Sequence, residues 1–109
     1  MATVRKVLGQ SAPAANTNTD LYAVPAATST VCSSIMVANR GVSATTFRVA
    51  VRPAGVALDD EHFLYFDVEL PGFDTFAGTL GVTLAATDVV TVRAGNSNVS
   101  FSLFGEEVS

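Results

Sequence analysis

The chain has 109 residues, of which 49% are hydrophobic and 15% charged, and its formal net charge is −4. This length corresponds to one domain, and the high apolar share excludes a disordered chain. The acidic balance and the single lysine, Lys6, argue against a nucleic-acid ligand and against a basic membrane-binding patch, since both require clustered positive charge.

The N-terminal segment is predicted to form an extended arm. Residues 1–7 lack the apolar centre of a secretory signal peptide, and residues 3–9 fit a first strand. A linker of small polar residues, QSAPAANTN at 10–18, follows that strand. We therefore expect an arm and linker over residues 1–18 and a β domain over residues 19–109, with the arm free to pair with a sheet edge of a neighbouring chain.

Alternation of apolar and polar residues with a period of two recurs along the chain and predicts strands. The odd-numbered residues of 31–37 are expected to share one face, and residues 47–52 alternate most regularly, with Arg48 and Arg52 opposite the apolar face. The run FLYF at 63–66 is apolar on both faces and predicts a central strand. Turn signals rich in Pro, Gly and Asn separate the runs. The predicted strands are 3–9, 19–24, 30–39, 44–52, 62–70, 74–82, 88–94 and 98–104.

Eight short strands in one domain predict an all-β fold of two packed sheets. A jelly-roll-like β-sandwich is the preferred topology, and an immunoglobulin-like sandwich is the alternative. A short helical turn is expected within residues 56–62, where Asp59, Asp60 and Glu61 can cap it. The last two strands flank the turn GNSN at 95–98 and predict a closing hairpin. In it, Val90 and Val92 would pair with Val99, Phe101 and Leu103, while Phe104 would face the other way.

Few residues suggest catalysis or metal binding. His62 follows three acidic residues at 59–61, but the spacing matches no zinc or EF-hand motif, so a solvated loop is expected there rather than a metal site. Cys32 lies in an apolar strand and is expected to be a buried, unreactive thiol. Asp67 and Glu69 alternate as a glycosidase pair would, yet the chain has no Trp for a sugar platform. We therefore expect no catalytic residue, no metal and no cofactor.

Arginines and terminal residues supply the candidate contact surface. Arg40, Arg48 and Arg52 lie within thirteen positions of one another, and Arg is enriched at protein interfaces. A solvated outer sheet face is the alternative interpretation of these residues. Acidic groups such as Glu106 and Glu107 would complement an arginine stripe on a neighbouring chain. The candidate protein–protein interface residues are Arg5, Arg48, Arg52, Phe104, Glu106 and Glu107.

Several segments form an ordered series that resembles small virion proteins of tailed bacteriophages. The segments are LYAVPA at 21–26, SSI at 33–35 with NR at 39–40, LAATDVVTV at 84–92 and VSFSLFGE at 99–106. The resemblance runs from about Leu21 to Glu107 and consists of strand and turn patterns. It departs at the turn after Pro25, where Ala26 and Ala27 stand in place of a frequent Gly. The resemblance implies a non-enzymatic component present in many copies.

Within that class, the resemblance favours a capsid decoration (cement) protein that binds and stabilises the capsid lattice. Its expected partners are the major capsid protein and other copies of itself, as a trimer that would match local three-fold capsid positions. We expect the protein to be made in the bacterial host cytoplasm and to end in the virion, with no nucleic-acid or membrane partner. The alternatives are a tail, baseplate or fibre-associated β module and, from another class, a carbohydrate-binding module for host adhesion.

Overall fold

The computed structural model describes residues 2–109 and is all-β, as the alternation predicts. Two single 3-10 turns, Pro53–Gly55 and Asp60–His62, precede the fifth strand, and the second confirms the helical turn expected there. No helix within residues 2–109 has the length and apolar character that crossing a bilayer requires. The strands are β1 (Thr3–Ser11), β2 (Thr19–Ala23), β3 (Ser29–Asn39), β4 (Thr45–Arg52), β5 (Phe63–Leu70), β6 (Thr75–Leu84), β7 (Val89–Ala94) and β8 (Val99–Val108).

The strands form two antiparallel sheets of four strands each, so the predicted two-sheet β-sandwich is confirmed. Sheet A has the order β1-β8-β3-β6, and sheet B has the order β2-β7-β4-β5. Strands adjacent in space are mostly distant in sequence. The ends of the chain meet, because Thr3 pairs with Val108 and the amide of Ala2 donates to the carbonyl of Ser109 at 2.8 Å.

The N-terminal segment lies at the edge of sheet A. Strand β1 pairs with β8 of the same chain from Thr3 to Ser11, with one register shift between Val7 and Gly9. Leu8 enters the core. A free arm that pairs with another chain is therefore not confirmed, and the segment is an integral strand in this structure.

An aromatic cluster holds the two sheets together. The ring of Phe47 lies with its centroid 5.2 Å from that of Phe76 and 6.2 Å from that of Phe101. Tyr65 packs edge-on against Phe76 at 5.2 Å. Aromatic pairs at these distances and tilts stabilise a core by about 0.5–1.5 kcal/mol beyond the area that they bury. Aliphatic side chains from both sheets complete the core, among them Ile35, Val37, Val49, Leu70, Val90, Val92, Val99 and Leu103.

Three predictions about faces and neighbours were wrong. Residues 31–37 do not keep one alternation, because a bulge between Cys32 and Ser34 exchanges the faces and leaves Val31 exposed. The strand that contains FLYF is an edge strand rather than a central one. The last two strands form no hairpin, because β7 lies in sheet B and β8 in sheet A. The turn at 95–98 instead connects sheet B to sheet A. Two strands joined by such a connection show the same alternation with a period of two as the two strands of a hairpin, so the pattern does not distinguish them.

The turn after Pro25 has the backbone conformation for which Gly is the usual residue. Ala27 adopts a φ of 57°, in the left-handed region. Alanine carries a Cβ that crowds the following carbonyl there, which costs roughly 1–2 kcal/mol. The turn is nevertheless anchored, since the amide of Val24 donates to the carbonyl of Asp88 at 2.9 Å.

Candidate functional site

A groove crosses the outer face of sheet A where β1, β8 and β3 lie side by side. Its volume is about 590 Å³. Direct cross-strand pairing builds it, because Val7 lies opposite Phe104 and Arg5 lies opposite Glu106. Val31 lies on the other side of Glu106. The groove thus has apolar walls from three strands, and its rim carries two basic residues, Arg5 and Lys6, and one acidic residue, Glu106.

Local backbone contacts bring the strands of the groove close together. A Cβ at position 105 would collide with the carbonyl oxygen of Val31, so Gly105 allows β8 to approach β3. The hydroxyl of Ser33 donates to the carbonyl of Phe104 at 3.1 Å, at the bulge of β3. The same bulge turns Val31 outward. The groove therefore depends on a glycine and a bulge, neither of which follows from alternation.

The rim charges of the groove remain accessible to a partner. The Arg5 Nε lies 3.2 Å from a carboxylate oxygen of Glu106, and the Arg5 side chain is 87% exposed. Exposed ion pairs of this kind stabilise a fold by only about 0–1 kcal/mol. Three of the six predicted interface residues, Arg5, Phe104 and Glu106, thus come together with freedom to contact another protein.

Glu107 points away from the groove and connects the two sheets. Its carboxylate accepts a hydrogen bond of 2.5 Å from the hydroxyl of Tyr22, and Lys6 lies 3.4 Å from its other oxygen. The bond from Tyr22 holds the pKa of Glu107 below its usual range. Burial, followed by the hydrogen bond to Glu107, raises the pKa of Tyr22 to about 12. Glu107 therefore acts as a structural tie.

A second exposed cluster lies on sheet B, around a bulge in β5. Arg48 forms a two-point ion pair with Asp67, at 2.6 and 3.2 Å. The guanidinium also lies 4.1 Å from the ring centroid of Phe66, which is 57% exposed, and Phe63 packs edge-on against Phe66. Asp67 has a φ of 50°, and the register between β4 and β5 shifts at this point. We name Arg48, Phe63, Phe66 and Asp67 the sheet B cluster.

Arg52 is occupied within its own chain. Its guanidinium donates to Thr91 at 3.0 Å and to Asp20 at 2.9 Å, which joins β4 to β2 across β7. It also donates to the carbonyls of Gly55 and Val56, and thereby holds the loop after β4. Arg48 and Arg52 lie on the predicted outer face of β4, but their partners differ, since Arg48 pairs with Asp67 and Arg52 with Asp20.

The residues considered for chemistry have structural partners. His62 is buried, and its Nδ1 accepts a hydrogen bond of 3.0 Å from the amide of Asp59 as part of a capping box. Within residues 2–109, no group of three or more His, Cys, Asp or Glu side chains is gathered as a metal site. Cys32 is fully buried, and burial raises the pKa of its thiol to about 11.

The two carboxylates of β5, Asp67 and Glu69, have different surroundings. Asp67 lies at the bulge, and the hydrogen bonds from Arg48 hold its pKa below the usual range. Glu69 lies farther along the strand, where it pairs with Thr46. A glycosidase acid needs a raised pKa, and Asp67 has the opposite.

Sequence patterns missed the apolar residues that the structure exposes. Val7 and Val31 line the groove, and Phe66 and Phe73 project from sheet B and from the loop before β6. Bulges and left-handed residues expose Val31, Phe66 and Phe73, and alternation carries no signal for them. A run of four apolar residues at 63–66 was a usable sign, because an edge strand that is apolar on both faces must expose one of them.

Comparisons of the chain with models of known protein families, with curated proteins and with solved structures found no match.

Proposed function

We propose that this chain is a structural protein of a bacteriophage virion, and that it serves as a capsid decoration (cement) protein. The proposal combines the resemblance over about Leu21 to Glu107 with one structural observation, the groove on sheet A. A groove with apolar walls and rim charges suits a protein partner, since interfaces combine a buried apolar centre with a polar rim. Its partners would be the major capsid protein and other copies of the chain.

We further propose that the sandwich is a jelly roll. Each strand of sheet A then faces a strand of sheet B that is its neighbour in sequence: β1 faces β2, β8 faces β7, β3 faces β4 and β6 faces β5. The strand orders β1-β8-β3-β6 and β2-β7-β4-β5 support this assignment, because eight strands wound as two Greek keys have these orders. Jelly rolls are common in viral capsid proteins, which is consistent with the proposed role.

Many modest contacts would be sufficient for this role. A copy that contacts both the capsid and its neighbouring copies is held more tightly than any single contact would hold it. Once the first contact has formed, each further contact forms at a high effective concentration. A trimer on a local three-fold position of the capsid is one such arrangement.

Replacing Phe104 with Ser tests the groove as the binding surface. Phe104 is half-buried on the outer face, so the isolated fold should persist while binding to particles that lack the protein is lost. Phe66→Ser is the matched control, because it removes an exposed ring from sheet B. Co-sedimentation with particles measures binding, and a thermal melt checks the fold. Unchanged binding by Phe104→Ser would overturn the assignment of the groove, and lost binding by Phe66→Ser would point to sheet B instead.

The cement role itself is tested on whole particles. Particles without the protein should lose their genome at a lower temperature than complete particles and should be less resistant to low ionic strength. Adding the purified protein should restore both kinds of resistance. Equal resistance of both preparations would rule out a cement role. Localisation by cryo-electron microscopy separates this role from a tail, baseplate or fibre-associated module.

The sheet B cluster favours a second candidate, a carbohydrate-binding host-adhesion module. Exposed aromatic rings with a neighbouring carboxylate are a common way to hold a sugar, and Phe66 and Asp67 lie together here. Arg48 covers the Phe66 ring, which leaves less of it to stack on a sugar. Binding on a glycan array that Phe66→Ser abolishes would support this candidate.

A further inference from the structure

The two sheets have four edge strands, and three of them carry features that discourage pairing with another chain. Strand β1 has Arg5 and Lys6 and a register shift, and β2 is only five residues long. Strand β5 is interrupted by the bulge at Asp67. Charges, bulges and short length are the usual means by which proteins block their sheet edges. Strand β6 is the exception.

The first half of β6 carries neither a charge nor a bulge, and it belongs to a strand of ten residues. Residues 75–79, which we name the open segment, read TFAGT and contain no charge and no proline. The bulge of β6 comes later, where the register with β3 shifts between Thr79 and Val82 and Gly81 has a φ of 64°. In the described chain, β3 is the only strand that pairs with β6.

The hydrogen-bond pattern shows which backbone groups of the open segment face outward. The amide of Asn39 donates to the carbonyl of Asp74 at 2.9 Å, and hydrogen-bonded pairs alternate along an antiparallel ladder. The pairs of Phe76 with Val37 and of Gly78 with Ile35 are therefore the hydrogen-bonded ones. It follows that Thr75, Ala77 and Thr79 direct their backbone groups to the open side. The amide of Thr75 agrees with this, since it donates to the side chain of Asp74 at 2.8 Å.

The open segment is complementary to a second copy of itself. If two copies run antiparallel with Ala77 opposite Ala77, then Thr75 lies opposite Thr79 and Phe76 lies opposite Gly78. The Thr side chains are exposed on the outer face, and cross-strand Thr pairs stabilise a sheet. On the inner face, the large Phe76 meets a glycine, so the two rings do not compete for space.

The donors also match in this register. The amides of Ala77 and Thr79 of one copy would reach the carbonyls of Ala77 and Thr75 of the other, and the two-fold axis repeats both bonds. The amide of Thr75 is not needed, so its bond to Asp74 can remain. An antiparallel two-fold contact of this kind uses the same residues on both copies.

We propose that the open segment of β6 is a self-association surface, at which two copies of this chain join their A sheets into one continuous sheet across a two-fold axis at Ala77. The inference follows from the edge geometry and is independent of the virion role, because purified protein alone tests it. A trimer on the capsid would then need a different contact, because a two-fold contact pairs copies.

Disulfide trapping tests the register. Directly opposed residues have Cα atoms about 5.5 Å apart, within the range that a disulfide spans. A mixture of Thr75→Cys and Thr79→Cys should form a cross-linked dimer under mild oxidation, whereas neither variant alone should, since two copies of the same position lie far apart. Ala77→Cys should cross-link by itself. Thr83→Cys, exposed on the same strand beyond the bulge, is the control that should not. The native Cys32 is buried and should not contribute.

Light scattering after size exclusion tests the association without a cross-link. The wild-type protein should have twice the monomer mass of 11.3 kDa at high micromolar concentration. Ala77→Lys should be monomeric, because like charges directly opposite each other destabilise a strand pair, and Thr83→Lys should remain dimeric. A wild-type protein that stays monomeric at that concentration would overturn the proposal. A dimer that persists in Ala77→Lys would also overturn it. Equal cross-linking in Thr75→Cys alone, in Thr79→Cys alone and in their mixture would do the same.

Discussion

At the scale of single residues, the hydroxyl of Tyr22 connects the two sheets. It donates to Glu107 and lies 2.8 Å from the hydroxyl of Thr30, which is fully buried. Tyr22 belongs to sheet B, and the other two residues belong to sheet A. Hydrogen bonds to an ionised group contribute about 1.5–3 kcal/mol each, so this hydroxyl matters more to stability than the exposed ion pair of Arg5 and Glu106.

Replacing Tyr22 with Phe should lower the free energy of unfolding at pH 7 by about 1.5–3 kcal/mol, because Glu107 loses its donor and Thr30 loses a buried partner. Urea unfolding measures the change. Tyr65→Phe is the matched control, since the hydroxyl of Tyr65 makes no hydrogen bond within residues 2–109. Equal losses in both variants would show that the Tyr22 hydroxyl has no special role.

The same variant should change how stability depends on pH. The pKa of Glu107 is lower in the folded protein than its unfolded value near 4.5. Stability from this group is therefore fully present above pH 4.5 and is lost as the pH falls through the lower folded pKa. Tyr22→Phe removes the main cause of the shift, so its unfolding free energy should fall less steeply below pH 4.5 than that of the wild type.

At the scale of elements, β8 shows how one strand serves two purposes. Its inner face supplies Val99, Phe101 and Leu103, which are almost completely buried, and its outer face supplies Phe104 to the groove. The two phenylalanines lie three positions apart, so the alternation of a strand places them on opposite faces. This arrangement was predicted from the sequence, although the strand that pairs with β8 was not.

The two faces of β8 should respond differently to truncation. Phe101→Ala should destabilise the fold by about 3–5 kcal/mol, because it leaves a cavity beside Phe47 in a close-packed core. Phe104→Ala should cost clearly less, since its ring is half-buried at the surface. Chemical denaturation of both variants makes the comparison. Similar losses would contradict the assignment of faces.

At the scale of the whole molecule, the chain closes on itself. Strand β1 pairs with β8, so the first and last strands complete sheet A together. Contacts between such distant segments must form late or at a high cost in loop entropy, and sandwiches of this kind fold slowly, in milliseconds to seconds. The pairing also covers the edge of β8, which would otherwise expose its backbone.

Deleting residues 1–11 separates an arm from an integral strand. If the segment is an integral strand, the deletion should lower the free energy of unfolding by about 2–5 kcal/mol or more, because it removes the buried Leu8. It also exposes the backbone of β8. If the segment is an arm, the isolated domain should melt at an unchanged temperature. Leu8→Ala in the full chain is the companion variant, since it removes the core contact and keeps the β1 backbone. Calorimetry measures both.

The alternation of the sequence was sufficient to predict the eight strands, the two-sheet architecture and the buried faces of β4 and β8. These features depend on local chemistry, because a strand buried on one face must place apolar residues at every second position. The capped turn at Asp59 followed from the same local reasoning. Alternation places Cys32 on the face opposite Ile35, however, and the bulge in β3 brings its thiol into the core.

Only the tertiary structure decided which strands are neighbours, and thereby which surfaces exist. Alternation with a period of two indicates which residues face inward but not which strand lies beside them. It therefore predicts a hairpin where the structure has a corner between β7 and β8. The bulges in β3 and β5 exchange faces over one or two residues, and the long-range register that sets them depends on both strands at once. Both surfaces are consequences of those pairings. The groove around Phe104 brings together strands that are far apart in the sequence, and the open segment of β6 is exposed because β6 lies at the edge of its sheet.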